Sequence, residues 1–86
     1  MSSDKEFVIY SLPSCMYCDS AKTLLSSKGR TYEEYMIGSD ISRDDFVEQF
    51  PDVRSAPLIY KDYERVGGYD DLVALDRAGK LDPLLA

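Results

Sequence analysis

Cys15 and Cys18 are the only two cysteines of the chain, and they stand within the stretch Ser14-Cys15-Met16-Tyr17-Cys18. An apolar run, Phe7-Val8-Ile9-Tyr10, ends just before them, and a pattern of helical period begins with them. Two thiols held between a buried strand and a helix N-terminus read as a C-x-x-C redox pair, not as scattered core residues. The same placement constrains the backbone, because strand, sharp turn and helix must meet at the sulfurs.

The rest of the chain is read outward from that junction. Glu6 to Ser11 is apolar enough for a central strand, and Leu12-Pro13-Ser14 breaks it. From Cys15 to Lys28, Cys18, Ala21, Leu24 and Leu25 fall at helical spacing, while Asp19, Lys22 and Ser26 lie elsewhere on the wheel. Ser14 or Cys15 can cap this helix, and Gly29 stops it. Thr31 to Ile37 is β-branched and aromatic enough for a second strand. A strand-helix-strand unit of this length favours a parallel pair with a right-handed crossover.

After a turn at Gly38-Ser39-Asp40, Ser42 and Asp45 resemble a capping box. The short helix that follows has Phe46, Val47 and Phe50 as its apolar stripe and ends at Pro51. Leu58 to Lys61 and Glu64 to Val66 read as a hairpin turning at Asp62-Tyr63. Gly67-Gly68 stops it, and Asp70 and Asp71 occupy the first turn of a last helix, at its positive dipole end. Leu72, Val73 and Leu75 are its expected buried face, with Gly79 as cap. Asp82-Pro83 starts a final turn that docks Leu84 and Leu85. The expected order is βαβαββα, an α/β domain with a mixed four-stranded sheet flanked by helices. One domain spanning residues 1–86 is expected, without linker or repeat.

Composition narrows the function. The 44% hydrophobic content suits a folded globule, but the longest apolar runs are four to five residues, too short for a membrane span. A net charge of -6 with no basic run leaves nucleic acid without a phosphate-binding face. The opening stretch Met1 to Glu6 has no apolar core of a secretory signal, so a reducing, cytoplasmic setting is the expectation.

The thiolate is the attacking form, and free cysteine titrates at about 8.5. A helix N-terminus lowers that value, which favours Cys15 at the mouth of the helix. Cys18, one turn inward on the apolar stripe, is placed to resolve the mixed disulfide. Other uses of the pair compete. A zinc site needs two more ligands, yet the chain has no third cysteine and no histidine. A structural disulfide across so small a loop constrains the unfolded chain little. No metal is expected.

Three motifs in order now resemble the glutaredoxin family: Cys15-Met16-Tyr17-Cys18, Ser55-Ala56-Pro57 about forty residues later, and Gly67-Gly68-Tyr69-Asp70-Asp71-Leu72. The stretches from Leu24 to Gly29 and from Ala74 to Leu85 look especially like small bacterial glutaredoxins with two active-site cysteines. The resemblance covers about Phe7 to Leu85. It implies a thioredoxin-like fold and glutathione as reducing co-substrate. The implied glutathione groove has Tyr17 as a wall and Ser55, Ala56 and a cis Pro57 as a backbone edge. Gly68 would give close approach, and Tyr69 would lie beside it. The first-turn amides of Asp70 and Asp71 would receive a carboxylate, with Asp71 also holding an ammonium group. From the residues alone, a trans Pro57 opening a strand, ordinary helix-start acids at Asp70 and Asp71, and an exposed Tyr17 stay open.

Three places depart from the family pattern, the mildest being Ser55-Ala56 where Thr-Val is common, which keeps the backbone edge. Proline is usual where Met16 stands, and many members carry a lysine where this chain has Leu12. Arg43 and Arg54 are the candidate replacements for that cation, or else solvated surface charges. The resemblance implies a monomer that reduces protein disulfides and glutathionylated proteins, with ribonucleotide reductase as a family-level client. A redoxin fed by thioredoxin reductase and a glutathione-ligated iron–sulfur carrier are the alternative readings.

Overall fold

The computed structural model describes residues 6–53, 55–79 and 81. Its elements run β1 (Phe7–Ser11), α1 (Met16–Ser27), β2 (Tyr32–Met36), α2 (Arg43–Gln49), β3 (Leu58–Lys61), β4 (Glu64–Gly67) and α3 (Tyr69–Arg77). The order is the expected βαβαββα. Strand order in the sheet is β2-β1-β3-β4, with β1 parallel to β2 and antiparallel to β3. The parallel pair needs a crossover, which α1 supplies. The β3–β4 hairpin turns through Asp62 and Tyr63, both at positive φ (49° and 71°), as a tight two-residue turn requires.

Strand alternation divides the interior in two. Phe7 and Ile9 of β1 are fully buried and pack with Ala21 and Leu25 of α1, Ile59 of β3 and Leu72 of α3. Tyr10, on the opposite face, joins Ile37, Phe46, Phe50 and Leu58. The sheet is therefore covered by α1 and α3 on one side and α2 on the other. Burying a leucine such as Leu25 or Leu72 contributes roughly 1.5–3 kcal/mol.

The caps follow the sequence closely. Cys15, not Ser14, is the N-cap of α1, and Gly29 follows that helix at φ +72°, a left-handed conformation that favours glycine. Ser42 caps α2, its Oγ accepting the Asp45 N–H at 3.1 Å. Two expectations are corrected. Val47 is 54% exposed, because a helix of seven residues has one inward side, already taken by Phe46 and by Phe50 one turn on. Val73 is half-buried beside a fully buried Leu72. Asp82, Pro83, Leu84 and Leu85 lie outside the described residues.

One ion pair ties α1 to the edge strand. Lys22 Nζ donates to Glu34 Oε2 at 2.8 Å, with each side chain about three-quarters buried. The ammonium holds the Glu34 carboxyl below its ordinary value, and the carboxylate raises Lys22. A lowered acid stabilises the fold above its unfolded value of about 4.3, and that term is lost as pH falls through the lower folded value. A raised lysine stabilises below its unfolded value of about 10.4 and is lost as pH climbs past the higher folded one. Glu34→Gln should cost up to about 1 kcal/mol at pH 7 in urea unfolding, with the deficit vanishing near pH 3. A deficit that persisted at pH 3 would assign it to packing.

Candidate active site

The C-terminal end of β1 feeds the chain through Ser14, at a left-handed φ of 56°, into the cap of α1. Cys15 has extended φ and ψ there, and its Sγ accepts the Cys18 N–H at 3.1 Å. A sulfur thus occupies the place that a serine or aspartate oxygen takes at ordinary helix starts. Cys15 and Cys18 form a disulfide, their Cα atoms 5.2 Å apart. Cys15 is half-buried, while Cys18 is 1% exposed and sits on the core side of α1. The outer sulfur thus lies at the positive end of the helix, where negative charge is favoured.

A second loop closes on the first. The Ala56–Pro57 peptide bond is cis, the geometry the resemblance implies. The Ala56 carbonyl oxygen lies 3.9 Å from Cys15 Sγ. Ser55 is exposed, Ala56 half-buried and Pro57 buried, so the chain presents a backbone edge to the disulfide.

The start of α3 supplies the third side. Gly68 is its N-cap, and a Cβ there would lie 3.7 Å from the Pro57 carbonyl oxygen, which puts the two loops in contact range. The Asp71 carboxylate accepts the Gly68 N–H at 3.0 Å, the acid half of a capping box whose N-cap has no side chain. Gly67, expected from the sequence only as a strand stop, has a φ of +120°. A Cβ at Gly67 would collide with the Asp71 carboxylate, so glycine is required both by conformation and by space. The doubled glycine was the signal for it. Asp70 and Asp71 are exposed in the first turn. Tyr17, 61% exposed, stacks on Tyr69 with centroids 5.8 Å apart, which joins the starts of α1 and α3.

The fold therefore gathers Cys15, Cys18, Tyr17, Ala56, Pro57, Gly68, Tyr69 and Asp71 at one end of the sheet, with Ser55 and Asp70 next to them in the chain. Leu12, in place of a lysine, packs against the cluster under α2 and brings no charge to the sulfurs. Arg43 is exposed at the start of α2, and Arg54 lies outside the described residues. Met16 is 77% exposed between the two cysteines. Among the described residues, no group of three or more metal-ligating side chains is assembled, and no helix is long and apolar enough to cross a membrane.

Residues 7–66 match the family model described as Glutaredoxin. A probable glutaredoxin of Synechocystis is 41% identical over 99% of this chain and 98% of its own. Glutaredoxin 3 of Escherichia coli K12 is 42% identical over 90% of this chain and 93% of its own. The solution structure of glutaredoxin from Brucella melitensis superposes with a TM-score of 0.75 at 34% identity, covering 90% of this chain and 84% of that one. With a helix-capping thiol, a buried partner and a matched family model, this chain belongs to the glutaredoxin family of thiol–disulfide oxidoreductases.

Proposed function

We propose that this protein is a glutathione-dependent dithiol glutaredoxin that reduces protein disulfides and glutathione mixed disulfides in a reducing, cytoplasmic setting. The observation that carries the reading is the outer sulfur at the cap of α1, 3.9 Å from the Ala56 carbonyl. Cys15 thiolate attacks a substrate disulfide and expels one substrate thiolate. Cys18 then attacks the Cys15 side of the mixed disulfide, releasing the second substrate thiol and closing Cys15–Cys18. Two glutathiones restore the dithiol, the first by forming a Cys15 adduct and the second by attacking it, which leaves glutathione disulfide.

Each wall has a task in this scheme. The backbone at Ala56, with Ser55 and Pro57 beside it, pairs with the cysteinyl unit of glutathione in short β-fashion. Gly68 allows close approach. The first-turn amides at Asp70 and Asp71 take the γ-glutamyl carboxylate. Asp71 receives the ammonium group, since a carboxylate accepting one N–H retains acceptor capacity. Tyr17 and Tyr69 form the flat side of the groove.

Trapping tests the adduct. Cys18→Ser protein incubated with glutathione disulfide should gain one glutathione on Cys15, seen by intact mass and peptide mapping. A variant that takes up none would contradict the glutathione reading.

A further inference from the structure

The outward side of the first turn of α1 carries Met16 and Asp19, which the glutathione scheme leaves unused, beside Tyr17, which it uses as a groove wall. Met16 is 77% exposed, Tyr17 is 61% exposed, and the Asp19 side chain is 76% exposed. Asp19 follows Met16 by three residues, so the thioether and the carboxylate share one helix face beside the disulfide. Across the Tyr17–Tyr69 stack, α3 adds the exposed carboxylates of Asp70 and Asp71. Of the described basic side chains, Lys22 alone pairs with an acid of this face, and its shorter bond goes elsewhere. Lys22 bonds Glu34 at 2.8 Å, with Asp19 farther off at 3.6 Å. Lys28 pairs with Asp76, Arg30 with Glu6 and Arg65 with Asp52.

An apolar, polarisable strip that ends in a carboxylate is complementary to one kind of side chain. Lysine and arginine lay an aliphatic stem along apolar surface and keep the charged end in water or on an acid. A cation over Tyr17 gains further from the ring face. We infer that Met16, Tyr17 and Asp19 form a docking strip for polypeptide disulfides whose cysteine is flanked by basic residues. The occupant is an extended protein segment, chosen on charge complementarity, with the acidic surface also speeding its approach. Met16 in the usual place of proline then has a use: it supplies a flexible apolar contact next to the reacting sulfur. This rests on the dithiol reading of Cys15 and Cys18, but not on glutathione as the electron source.

Single-turnover reduction without glutathione tests it. The pre-reduced protein meets three cyclic peptides, identical except that the residues flanking one cysteine are lysine, alanine or glutamate. In each reaction two electrons and two protons pass from the dithiol to the peptide, leaving the Cys15–Cys18 disulfide and the open peptide dithiol. The lysine peptide should react about tenfold faster than the glutamate peptide near ~20 mM salt, and within about twofold at ~0.5 M. Asp19→Asn should narrow that ratio, and Asp19→Lys should reverse the order of the two peptides. Both ratios are internal to one variant, so a change in folding or thiol reactivity does not imitate them. Equal rates for all three peptides at low salt, or a ratio unmoved by Asp19→Lys, overturn the inference alone. A pre-reduced protein that opens no peptide overturns the dithiol reading and the inference together.

Discussion

Cys15→Ser should remove activity toward protein disulfides and glutathione mixed disulfides alike, by at least about a thousandfold, because a serine hydroxyl does not ionise near neutral pH and is a poor nucleophile toward sulfur. The fold gives no compensating route. Cys18, at 1% exposure, lies on the core side of α1 and meets a bulky disulfide only after the outer sulfur has carried it in. Folding should be nearly unchanged relative to the reduced protein. Serine is itself a favoured N-cap and accepts the same N–H that Cys15 Sγ accepts from Cys18 at 3.1 Å. The check is steady-state kinetics on one substrate of each class, beside urea unfolding of both proteins in the reduced state. A variant retaining more than a few per cent of either activity would move the nucleophile elsewhere.

Cys18→Ser should separate the two activities. Reduction of a protein disulfide needs a second thiol to expel the substrate from Cys15, and in this variant glutathione from solution must do that work. An intramolecular attack from one helical turn away has a large advantage in effective concentration over a dissolved thiol. The rate on a protein disulfide should therefore fall on the order of a hundredfold at millimolar glutathione, a factor that corresponds to about 2.7 kcal/mol. Removal of glutathione from a mixed disulfide uses Cys15 and one external glutathione, so it should hold within a few-fold of the parent. Parallel assays on a glutathionylated peptide and an insulin-type disulfide check the split. Equal loss on both substrates would make Cys18 a structural partner of Cys15, not a resolving thiol.

Much of this architecture was legible because local rules and tertiary packing agree. The alternation of Phe7 and Ile9 with Val8 and Tyr10 gives β1 one buried and one half-buried face, and it occupies an interior place in the sheet. Ser42 before Asp45, and Gly29 after Lys28, announce helix ends through hydrogen-bonding chemistry that acts within four residues. What was not legible depends on contacts between distant segments. Leu81 is fully buried and its carbonyl accepts from Arg30 Nε at 3.1 Å, although it follows the end of α3 and belongs to no periodic pattern. Val47 looks apolar at helical spacing, yet a seven-residue helix has no second face to bury.

The site divides along the same line. That Cys15 is outer and Cys18 inner follows from helical spacing alone. The Tyr17–Tyr69 stack does not, since it depends on how closely the starts of α1 and α3 approach. Nor does the need for glycine at position 67, which arises from a φ of +120° and from the carboxylate three residues beyond Gly68. The cis geometry before Pro57 was readable only through the family motif, because the residues alone also fit a trans bond.

The source of electrons distinguishes a glutathione-dependent glutaredoxin from a redoxin fed by thioredoxin reductase. The measurement is turnover on a protein disulfide with NADPH and either glutathione plus glutathione reductase or thioredoxin reductase alone. Sustained turnover is expected with glutathione, rising with its concentration, and at most a trace with thioredoxin reductase. Turnover with thioredoxin reductase alone, with none under glutathione, would contradict glutathione dependence.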